Sequence, residues 1–338
     1  MPPSPRLPVI VIVTPSLADA NNGNWRTAHR WQLLLKDRFK VIVQRAWPGE
    51  SSQKPPKVDL LIALHARRSA ESVKAFRRKH AATPIAVVLT GTDLYHDLSH
   101  DVDNNTAAWR TIDTANALVV LQGAALAAVP AAFRAKTRVI YQSARQFVPA
   151  EKPKRTFNCV VAGHLRPEKD PETIFRMVRL IPPGSAIRIT HIGAPLDNRL
   201  TAMATKLAAN SPNYQWLGAL SHGDTRAAIK RAHLLIHPSV LEGGANVIAE
   251  ALTAGTAVVS SDVPGNIGML GKHYPGYFPV GDAASLLNTI LRCHSEPRYF
   301  TRLQAACDAR APLFEPETER AALCLMIDSL LAGATRAS

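Results

Sequence analysis

The sequence of 338 residues is poor in cysteine and in long apolar runs, and both shortages exclude classes of protein. Its four cysteines, Cys159, Cys293, Cys307 and Cys324, are widely spaced and form no CxxC or Cys/His pattern. That spacing argues against a zinc site and a disulfide framework, so we expect no bound metal and a reducing compartment. The apolar stretch "LPVIVIVTP" ends at Pro15, far short of the roughly 18–20 residues that span a bilayer.

Further absences concern targeting, cofactors and nucleic acids. No charged segment with a cleavage site precedes the first apolar stretch, which predicts a cytoplasmic protein without stable membrane association. No GxGxxG motif opens a helix after a strand, so a nicotinamide dehydrogenase is disfavoured and we expect no cofactor. Aromatic residues make up only 6% of the chain, too few for the stacking that usually accompanies a nucleic-acid patch. We therefore expect no nucleic-acid partner.

Positive charge is what the composition has in excess. The net charge of +14 favours an anionic partner, either a membrane surface or phosphorylated small molecules. The densest basic run, "ARRSAESVKAFRRKH", has helical spacing and is typical of a solvated helix face. The charge thus indicates the class of ligand without locating its site.

Short β-branched runs alternate with amphipathic helical stretches along the whole chain. The first half holds strand candidates in "VIVIVT", "KVIVQR", "DLLIALH", "PIAVVLT", "ALVVL" and "TRVIYQ", with helices predicted over Trp25–Asp37 and Ser69–Lys79. After "FVPAEKPKRT", a Pro-rich and charged linker, the pattern restarts with "FNCVVAGH", "AIRITHIG", "YQWLG", "HLLIHPS" and "AVVSS". This alternation predicts an α/β protein with two doubly wound Rossmann-like domains. We expect them over residues 1–150 and 151–338, with the last helix free to pack back on the first domain.

The loops that follow strands are the places to look for function, because open α/β sheets bind ligands at the carboxyl ends of their strands. Two such domains facing each other would form a cleft between those ends, and we expect the active site there. Within the first domain, Gly23 and Asn24 lie just before a predicted helix, where free amides suit an anionic or polar group. A long turn capped by Asn24 is the ordinary alternative.

Two other loops of the first domain carry charged candidates. Arg67 and Arg68 follow the third strand, where adjacent guanidiniums suit a phosphate or similar oxyanion. Taken singly, either arginine is explained equally well as an exposed residue at the start of a helix. Asp93 follows the fourth strand, and its two candidate roles are the N-cap of a helix and a polar contact to the substrate.

In the second domain, "VVAGHLRPEKDPETI" places Gly163, Arg166 and Lys169 between the first strand and its helix. Cations at this position can neutralise a diphosphate leaving group as its charge develops. An ordinary helix start explains Asp170 and Pro171 but leaves the cations unexplained.

The stretch "PSVLEGGANVIAEALTAG" holds two glutamates around the start of one helix. Glu242 lies in the glycine loop and Glu250 about one turn inside the helix, so they can contact opposite ends of a ligand. Gly243, Gly244 and Ala245 leave room for backbone amides to bind a diphosphate, and carboxylates suit the hydroxyls of a sugar or ribose. The ordinary alternative is helix-dipole preference, about 0.3–1 kcal/mol for each exposed glutamate.

As a set, these residues resemble the family-4 retaining glycosyltransferases of the GT-B fold. The resemblance runs through "AGHLRPEKDP", "HPSVLEGGANVIAEALTAGTAVVSSDVPGN" and "FPVGDAASL", in the expected order. It implies that Glu250 holds the ribose of a nucleotide-sugar donor, that Glu242 contacts the transferred sugar and that Lys169 binds the diphosphate. The amides around Ala245 and Asn246 would meet the same diphosphate.

One position departs from the family pattern. The family has an arginine directly after the strand-end glycine, and this chain has His164 there. Arg166 stands two positions further on, so either residue is a candidate for the arginine's role.

The first half narrows the resemblance. "VTPSLADANNGNWRTAHRW", "LIALHARRSA", "LTGTDLYHD" and "VIYQSAR" are similar to the selenosugar synthases of selenoneine biosynthesis. That implies transfer from a UDP-sugar, UDP-N-acetylglucosamine, to selenophosphate, with formation of a carbon–selenium bond and release of UDP and phosphate. It also implies functional coupling to other enzymes of that pathway. Arg26, Arg67 and Arg68 are then candidates for the acceptor end, and Arg166 and Lys169 for the donor end.

An anionic selenium nucleophile need not lose a proton as it attacks, so a general base is dispensable and Asp93 is better interpreted as a substrate contact. The candidate catalytic residues are Glu242, Lys169 and Arg166: catalysis would come from positioning, with Glu242 at the sugar, and from stabilising the departing UDP through Lys169 and Arg166. Three alternatives stay open: a retaining glycosyltransferase with a sugar or lipid hydroxyl as acceptor, a UDP-sugar epimerase, and a binding protein on a degenerate scaffold. The complete set of Glu242, Glu250 and Lys169 argues against the last.

The two proposed ends of the ligand site predict different effects of substitution. Glu250→Ala should weaken UDP binding in calorimetry, because the ribose loses its acceptor. Arg67→Ala should leave UDP binding near normal and raise the concentration of acceptor required in an activity assay. Equal loss of UDP affinity in both variants would place Arg67 at the donor end.

Overall fold

A computed structural model describes residues 6–17, 23–49, 57–98, 106–148 and 150–337. The chain divides into two compact units. Unit 1 comprises residues 1–142 and 316–338, and unit 2 comprises residues 143–315. The Pro-rich segment 147–156 lies within unit 2.

Unit 1 begins with strands that alternate with helices. In chain order its elements are β1 (Val9–Val13), α1 (Gly23–Leu35), β2 (Lys40–Gln44), β3 (Leu60–Leu64), α2 (Ala70–Lys79), β4 (Ile85–Leu89), α3 (Ala107–Thr114), β5 (Ala117–Val120), α4 (Ala125–Ala128) and β6 (Thr137–Val139). The strands form one parallel sheet in the order β2-β1-β3-β4-β5-β6. In its centre, Ile10 lies opposite Val41 of β2 and Leu60 of β3.

Both faces of this sheet are buried, which is why its strands are continuous apolar runs. Successive side chains of a strand point to opposite faces. Val11 and Val13 of β1 therefore pack into one apolar cluster, whereas Ile10 and Ile12 pack into another on the opposite face. Full burial of each such side chain contributes about 1.5–3 kcal/mol, so the pattern specifies the sheet strongly.

Unit 2 repeats the same plan. Its elements are β7 (Phe157–Ala162), α5 (Pro171–Arg179), β8 (Ile187–Ile192), α6 (Asn198–Asn210), β9 (Tyr214–Trp216), α7 (His222–Arg231), β10 (Leu234–His237), α8 (Asn246–Thr253), β11 (Ala257–Ser261), α9 (Pro264–Leu270), β12 (Tyr277–Phe278), α10 (Ala283–Ser295) and α11 (Pro297–Asp308). The strands pair in parallel in the order β12-β11-β10-β7-β8-β9. The neighbouring strands β7 and β10 bring the loops that follow them to the same edge of the sheet.

Side-chain caps begin several helices of unit 2. Asp170 precedes α5 and its carboxylate accepts a hydrogen bond from the backbone N–H of Thr173 at 3.2 Å, while Pro171 occupies the first helical position. Asp197 caps α6 in the same way, accepting from Leu200 N at 2.8 Å. Such caps satisfy backbone donors that a helix start leaves unpaired.

The predicted strands are all present, and two details differ from expectation. Strand β12 was not predicted, because its two residues are too few to show a strand pattern in the sequence. Helix α1 already begins at Gly23, so Gly23 and Asn24 belong to its first turn and do not form the loop or cap predicted before it. Thr27 Oγ1 donates to Gly23 O at 2.8 Å within this turn. The remainder of that predicted loop, residues 18–22, lies outside the described residues.

The final helix, α12 (Pro316–Ala337), returns to unit 1. Its residues Leu323, Met326 and Ile327 are part of the apolar cluster that contains Ile10 and Ile12. No helix in the described part of the chain is both long and apolar enough to cross a membrane.

A buried carboxylate joins α12 to α1. Glu319 Oε2 accepts from Arg30 Nε at 2.8 Å, and its Oε1 accepts from Trp31 Nε1 at 2.7 Å. The Glu319 side chain is 0% exposed. A buried charge is tolerated only when it is paired and hydrogen-bonded, so these contacts determine where α12 docks.

Substitution of this carboxylate should destabilise unit 1. We expect Glu319→Gln to lower the free energy of unfolding by about 3 kcal/mol, because removing one partner of a buried pair leaves the other charge uncompensated. Urea unfolding followed by circular dichroism measures the change. Glu317→Gln, on the same helix and 81% exposed, is the control and should stay within about 0.5 kcal/mol of the parent. Equal stability of the two variants would contradict a structural role for the Glu319 contacts.

Candidate functional site

The loop after β7 presents two predicted cations at the carboxyl edge of the sheet. Gly163 follows the strand, and Arg166 precedes a short 3₁₀ turn over Pro167–Lys169. Arg166 is about half exposed, with its Nε 3.9 Å from a carboxylate oxygen of Glu168. Lys169 is more enclosed, at 20% exposure. The turn directs Lys169 towards the neighbouring loop.

That neighbouring loop follows β10 and contains the first predicted glutamate. Lys169 Nζ donates to Glu242 Oε1, and the same oxygen lies 3.1 Å from His237 Nε2, at the end of β10. Ser239 Oγ stands 3.3 Å from His237 Nε2. The structure thus brings together two predicted residues that are 73 positions apart, and adds a histidine that was not predicted.

The charges of this cluster support one another. Burial by itself raises the pKa of Glu242, but the Lys169 ammonium and the hydrogen bond from His237 outweigh that effect and hold the pKa well below its usual range. Burial lowers the pKa of His237, although Glu242 acts in the opposite direction. A neutral His237 can still donate its Nε2 proton to the carboxylate. Glu242 is therefore an ionised carboxylate held from two sides.

A second buried histidine supports the loop after β7. His191 Nε2 lies 3.1 Å from Gly163 O, and its Nδ1 lies 3.0 Å from the hydroxyl of Tyr214. Because a carbonyl only accepts, Nε2 carries the proton and Tyr214 donates to Nδ1. Burial lowers the pKa of His191 to about 4, despite the opposing hydrogen bond to Gly163.

Two glycines allow backbone segments to approach this site closely. A Cβ on Gly193 would lie 1.9 Å from Gly163 O, and a Cβ on Gly265 would lie 2.1 Å from Glu242 O. Neither contact leaves room for a side chain, so both loops rest directly on neighbouring backbone. A small pocket lies beside them, lined by Gly163, Lys169, His191, His237 and Ser239 among others.

The second glutamate has a different partner. Asn246 begins α8, with buried Ala245 before it, and Glu250 lies inside the helix as predicted. Glu250 Oε1 is 2.7 Å from His222 Nε2, at the start of α7. Gly243 is buried and Gly244 half-buried in the loop between the two glutamates. Glu242 and Glu250 therefore contact different histidines, His237 and His222.

In unit 1, Asp93 organises two loops. It is 0% exposed, and its Oδ1 accepts from the backbone N–H groups of Thr90, Gly91 and Leu94 at 2.8, 2.9 and 3.1 Å. Its Oδ2 accepts from Ala66 N at 2.9 Å. These four bonds hold the loops after β3 and β4 together, and the substrate contact of Asp93 stays a prediction.

The predicted arginine pair follows β3. Arg67 and Arg68 are both exposed, and Arg67 Nε donates to Asp97 Oδ2 at 2.7 Å. His65, just before them, has a left-handed φ of 70° and its Nε2 lies 3.0 Å from Thr92 Oγ1. Burial lowers the pKa of His65, opposed by the nearby carboxylates. Arg26, the third arginine predicted for the acceptor end, is half-buried in α1.

The sequence did not predict three histidines of unit 2 that contact the candidate site: His191, His222 and His237. Two of them had a recognisable signal, since His191 and His237 are polar residues inside otherwise apolar strands, "IRITHI" and "LLIH". A buried polar group needs a hydrogen-bond partner, and here both partners belong to the candidate site. Among the described residues, no group of three His, Cys, Asp or Glu side chains is arranged to hold a metal ion.

The buried His191 predicts a dependence of stability on pH. An unfolded histidine binds a proton near pH 6.5, whereas folded His191 does so only near pH 4. Between these values the unfolded state binds more protons, so stability falls as the pH is lowered, by at most about 1.4 kcal/mol per pH unit. In urea unfolding of His191→Gln between pH 6.5 and 4, the free energy of unfolding should fall less steeply with pH than in the parent, by up to the contribution of one bound proton. The exposed His273→Gln should keep the parent slope, and a parallel curve for His191→Gln would contradict the assignment.

Solved structures with the same fold are found at low sequence identity. Sucrose-phosphate synthase from Thermosynechococcus elongatus matches with a TM-score of 0.79 and 16% identity, over 97% of this chain and 100% of that chain. Anabaena HepE in complex with UDP and glucose matches with a TM-score of 0.70 and 16% identity, over 96% of this chain and 100% of that chain. The α,α-trehalose 6-phosphate synthase from Burkholderia multivorans matches with a TM-score of 0.72 and 11% identity, over 97% of this chain and 99% of that chain. These matches and the two parallel sheets confirm the predicted α/β fold of the GT-B type.

A comparison with curated protein sequences finds no significant match. The family model described as "Glycosyl transferases group 1" matches residues 142–311, about half of the chain. The matched region contains Lys169, Glu242 and Glu250, with the loops that carry them. The chain therefore belongs to the group 1 glycosyl transferases.

Proposed function

We propose that unit 2 binds a UDP-sugar at the carboxyl ends of β7 and β10, and that the enzyme transfers the sugar to selenophosphate. Glycosyl transfer from a nucleotide sugar is the activity that membership of the family supports. The observation that carries the proposal for the site is the contact of Lys169 Nζ with Glu242 Oε1, supported by His237. It joins a cation suited to phosphate with a carboxylate suited to sugar hydroxyls in one enclosed group.

The residues of unit 2 would divide the donor among them. Lys169, with Arg166 beside it, would offset the charge that develops on the departing diphosphate. Glu242 would accept hydrogen bonds from hydroxyls of the sugar, since an ionised carboxylate only accepts. The fixed hydrogen bonds around Glu242 keep it in one orientation, which reduces the entropy lost when substrate binds.

The glycine loop and α8 would hold the remainder of the nucleotide. Backbone amides from Gly163 and from residues 243–246 would contact the diphosphate, because the N-terminus of a helix directs N–H groups and a partial positive charge towards an anion. Glu250 would accept from the ribose hydroxyls. Anabaena HepE is a structure of this fold with UDP and glucose bound, which supports UDP as the nucleotide here. The choice of N-acetylglucosamine rests on the sequence resemblance.

An anionic acceptor is consistent with unit 1. The exposed pair Arg67 and Arg68 suits an oxyanion, whereas His65 and Asp93 nearby are buried and hydrogen-bonded. The selenium lone pair would form the bond to the anomeric carbon as the bond from that carbon to the UDP oxygen breaks. Water would then cleave the phosphorus–selenium bond and release phosphate. Because the nucleophile is already an anion, no side chain need remove a proton from it in the first step.

A hydroxyl of a sugar or lipid is the second candidate acceptor. The ion pair of Arg67 with Asp97 favours it, because this pair offsets part of the positive charge that would attract an anion. The donor site proposed for unit 2 is the same in both cases. The two functions differ in the acceptor alone, so one assay distinguishes them.

Purified protein incubated with UDP-N-acetylglucosamine and selenophosphate should release UDP and form a selenium-containing sugar, detected by mass spectrometry. Lys169→Met should lower kcat by about 100-fold, because the departing diphosphate loses a cation. Lys206→Met, which removes an exposed lysine of α6, is the matched control and should retain parent activity.

The outcomes separate the two levels of the proposal. No selenium product, together with turnover of a sugar or lipid alcohol, would overturn the selenosugar hypothesis and leave glycosyl transfer in place. Equal activity of Lys169→Met and Lys206→Met would show that Lys169 does not act on the donor.

A further inference from the structure

Glu250 is held by a histidine that no feature of the sequence pattern singled out. His222 Nε2 lies 2.7 Å from Glu250 Oε1. The Glu250 side chain is 9% exposed and the His222 side chain 49% exposed. An ionised carboxylate only accepts hydrogen bonds, so Nε2 carries the proton and donates it. The pair thus joins the first residue of α7 to the interior of α8.

The backbone of His222 is fixed independently of Glu250. Ser221 caps α7, where its Oγ accepts from Asp224 N at 3.1 Å and stands 2.6 Å from Asp224 Oδ2. Thr225 Oγ1 also donates to Ser221 O at 2.9 Å. This reciprocal arrangement stabilises the helix start whatever side chain follows the cap. Position 222 can therefore be substituted without loss of the helix.

The neighbouring cations of α7 have other anchors. Positions 222, 226 and 230 are four residues apart and share one helix face. Arg226 lies 4.1 Å from the centre of the Phe147 ring and donates to Arg145 O, and Lys230 lies 5.5 Å from the same ring. Burial lowers the pKa of Arg226, and the charge of Glu250 opposes that shift. Arg226 therefore interacts electrostatically with Glu250, whereas His222 donates a hydrogen bond to it.

We propose that His222 is a positioning residue that orients the Glu250 carboxylate towards the ribose hydroxyls and so selects ribonucleotide donors. The inference rests on the donor half of the proposed function. A carboxylate offers about four acceptor positions on two oxygens, enough for His222 and a ribose at once. A donor on one oxygen stops rotation of the group and leaves its remaining acceptor positions in a fixed direction. A hydroxyl bonded by a fixed acceptor binds more strongly than one bonded by a rotating acceptor, because less entropy is lost.

Calorimetry with UDP and 2′,3′-dideoxy-UDP tests this role in the full chain. The parent should bind UDP more tightly than the dideoxy nucleotide, which lacks both hydroxyls. His222→Ala should weaken UDP binding by about tenfold and leave dideoxy-UDP binding within about twofold, because only the former uses the oriented carboxylate. His222→Gln should retain most of the preference, since its amide N–H can replace Nε2–H as donor.

The exposed His273→Ala is the matched control and should leave both affinities unchanged. Equal weakening of both nucleotides in His222→Ala would indicate a general structural effect and overturn the inference. So would unchanged UDP affinity in that variant, equal affinity of the parent for the two nucleotides, or the same loss in His222→Gln as in His222→Ala. No acceptor is present in these titrations, so failure of the selenophosphate assay does not affect their result.

Discussion

The parallel pairing of β7 with β10 is the constraint on which the candidate site depends. Leu234 and Ile236 of β10 lie opposite Cys159 and Val161 of β7, so both strands end at the same edge of the sheet. Residues that are far apart in the chain then follow adjacent strand ends. Without this register, Lys169 and Glu242 would have no common location.

Within that frame, the site is held by charge and by close backbone packing together. Burial of Glu242 would favour its neutral form, and the ammonium of Lys169 with the proton of His237 reverses that preference. The glycines Gly193 and Gly265 let neighbouring backbone rest against the same loops. A group of polar side chains held in one geometry is what electrostatic catalysis requires, because little reorganisation is then needed during the reaction.

The two units use buried carboxylates for different purposes. In unit 1, Asp93 ties loop backbone together and Glu319 docks α12, so these acids serve the fold. In unit 2, Glu242 accepts from His237 at the end of β10, and Glu250 accepts from His222 at the start of α7. Four backbone N–H groups donate to Asp93, and the side chains of Arg30 and Trp31 donate to Glu319. Histidine and lysine side chains contact the glutamates of unit 2.

The sequence alone determined the order of the strands and helices, the two parallel sheets and the loops that carry Lys169, Glu242 and Glu250. These features follow from local periodicity and from motifs whose residues are close in the chain. Only the tertiary structure decided that Lys169 contacts Glu242 and that His237 and His222 contact the two glutamates. It also decided that four backbone N–H groups donate to Asp93, and that Gly23 and Asn24 belong to α1. The physical reason is that hydrogen-bond partners are chosen by strand order and helix packing, which bring together residues that no local pattern connects.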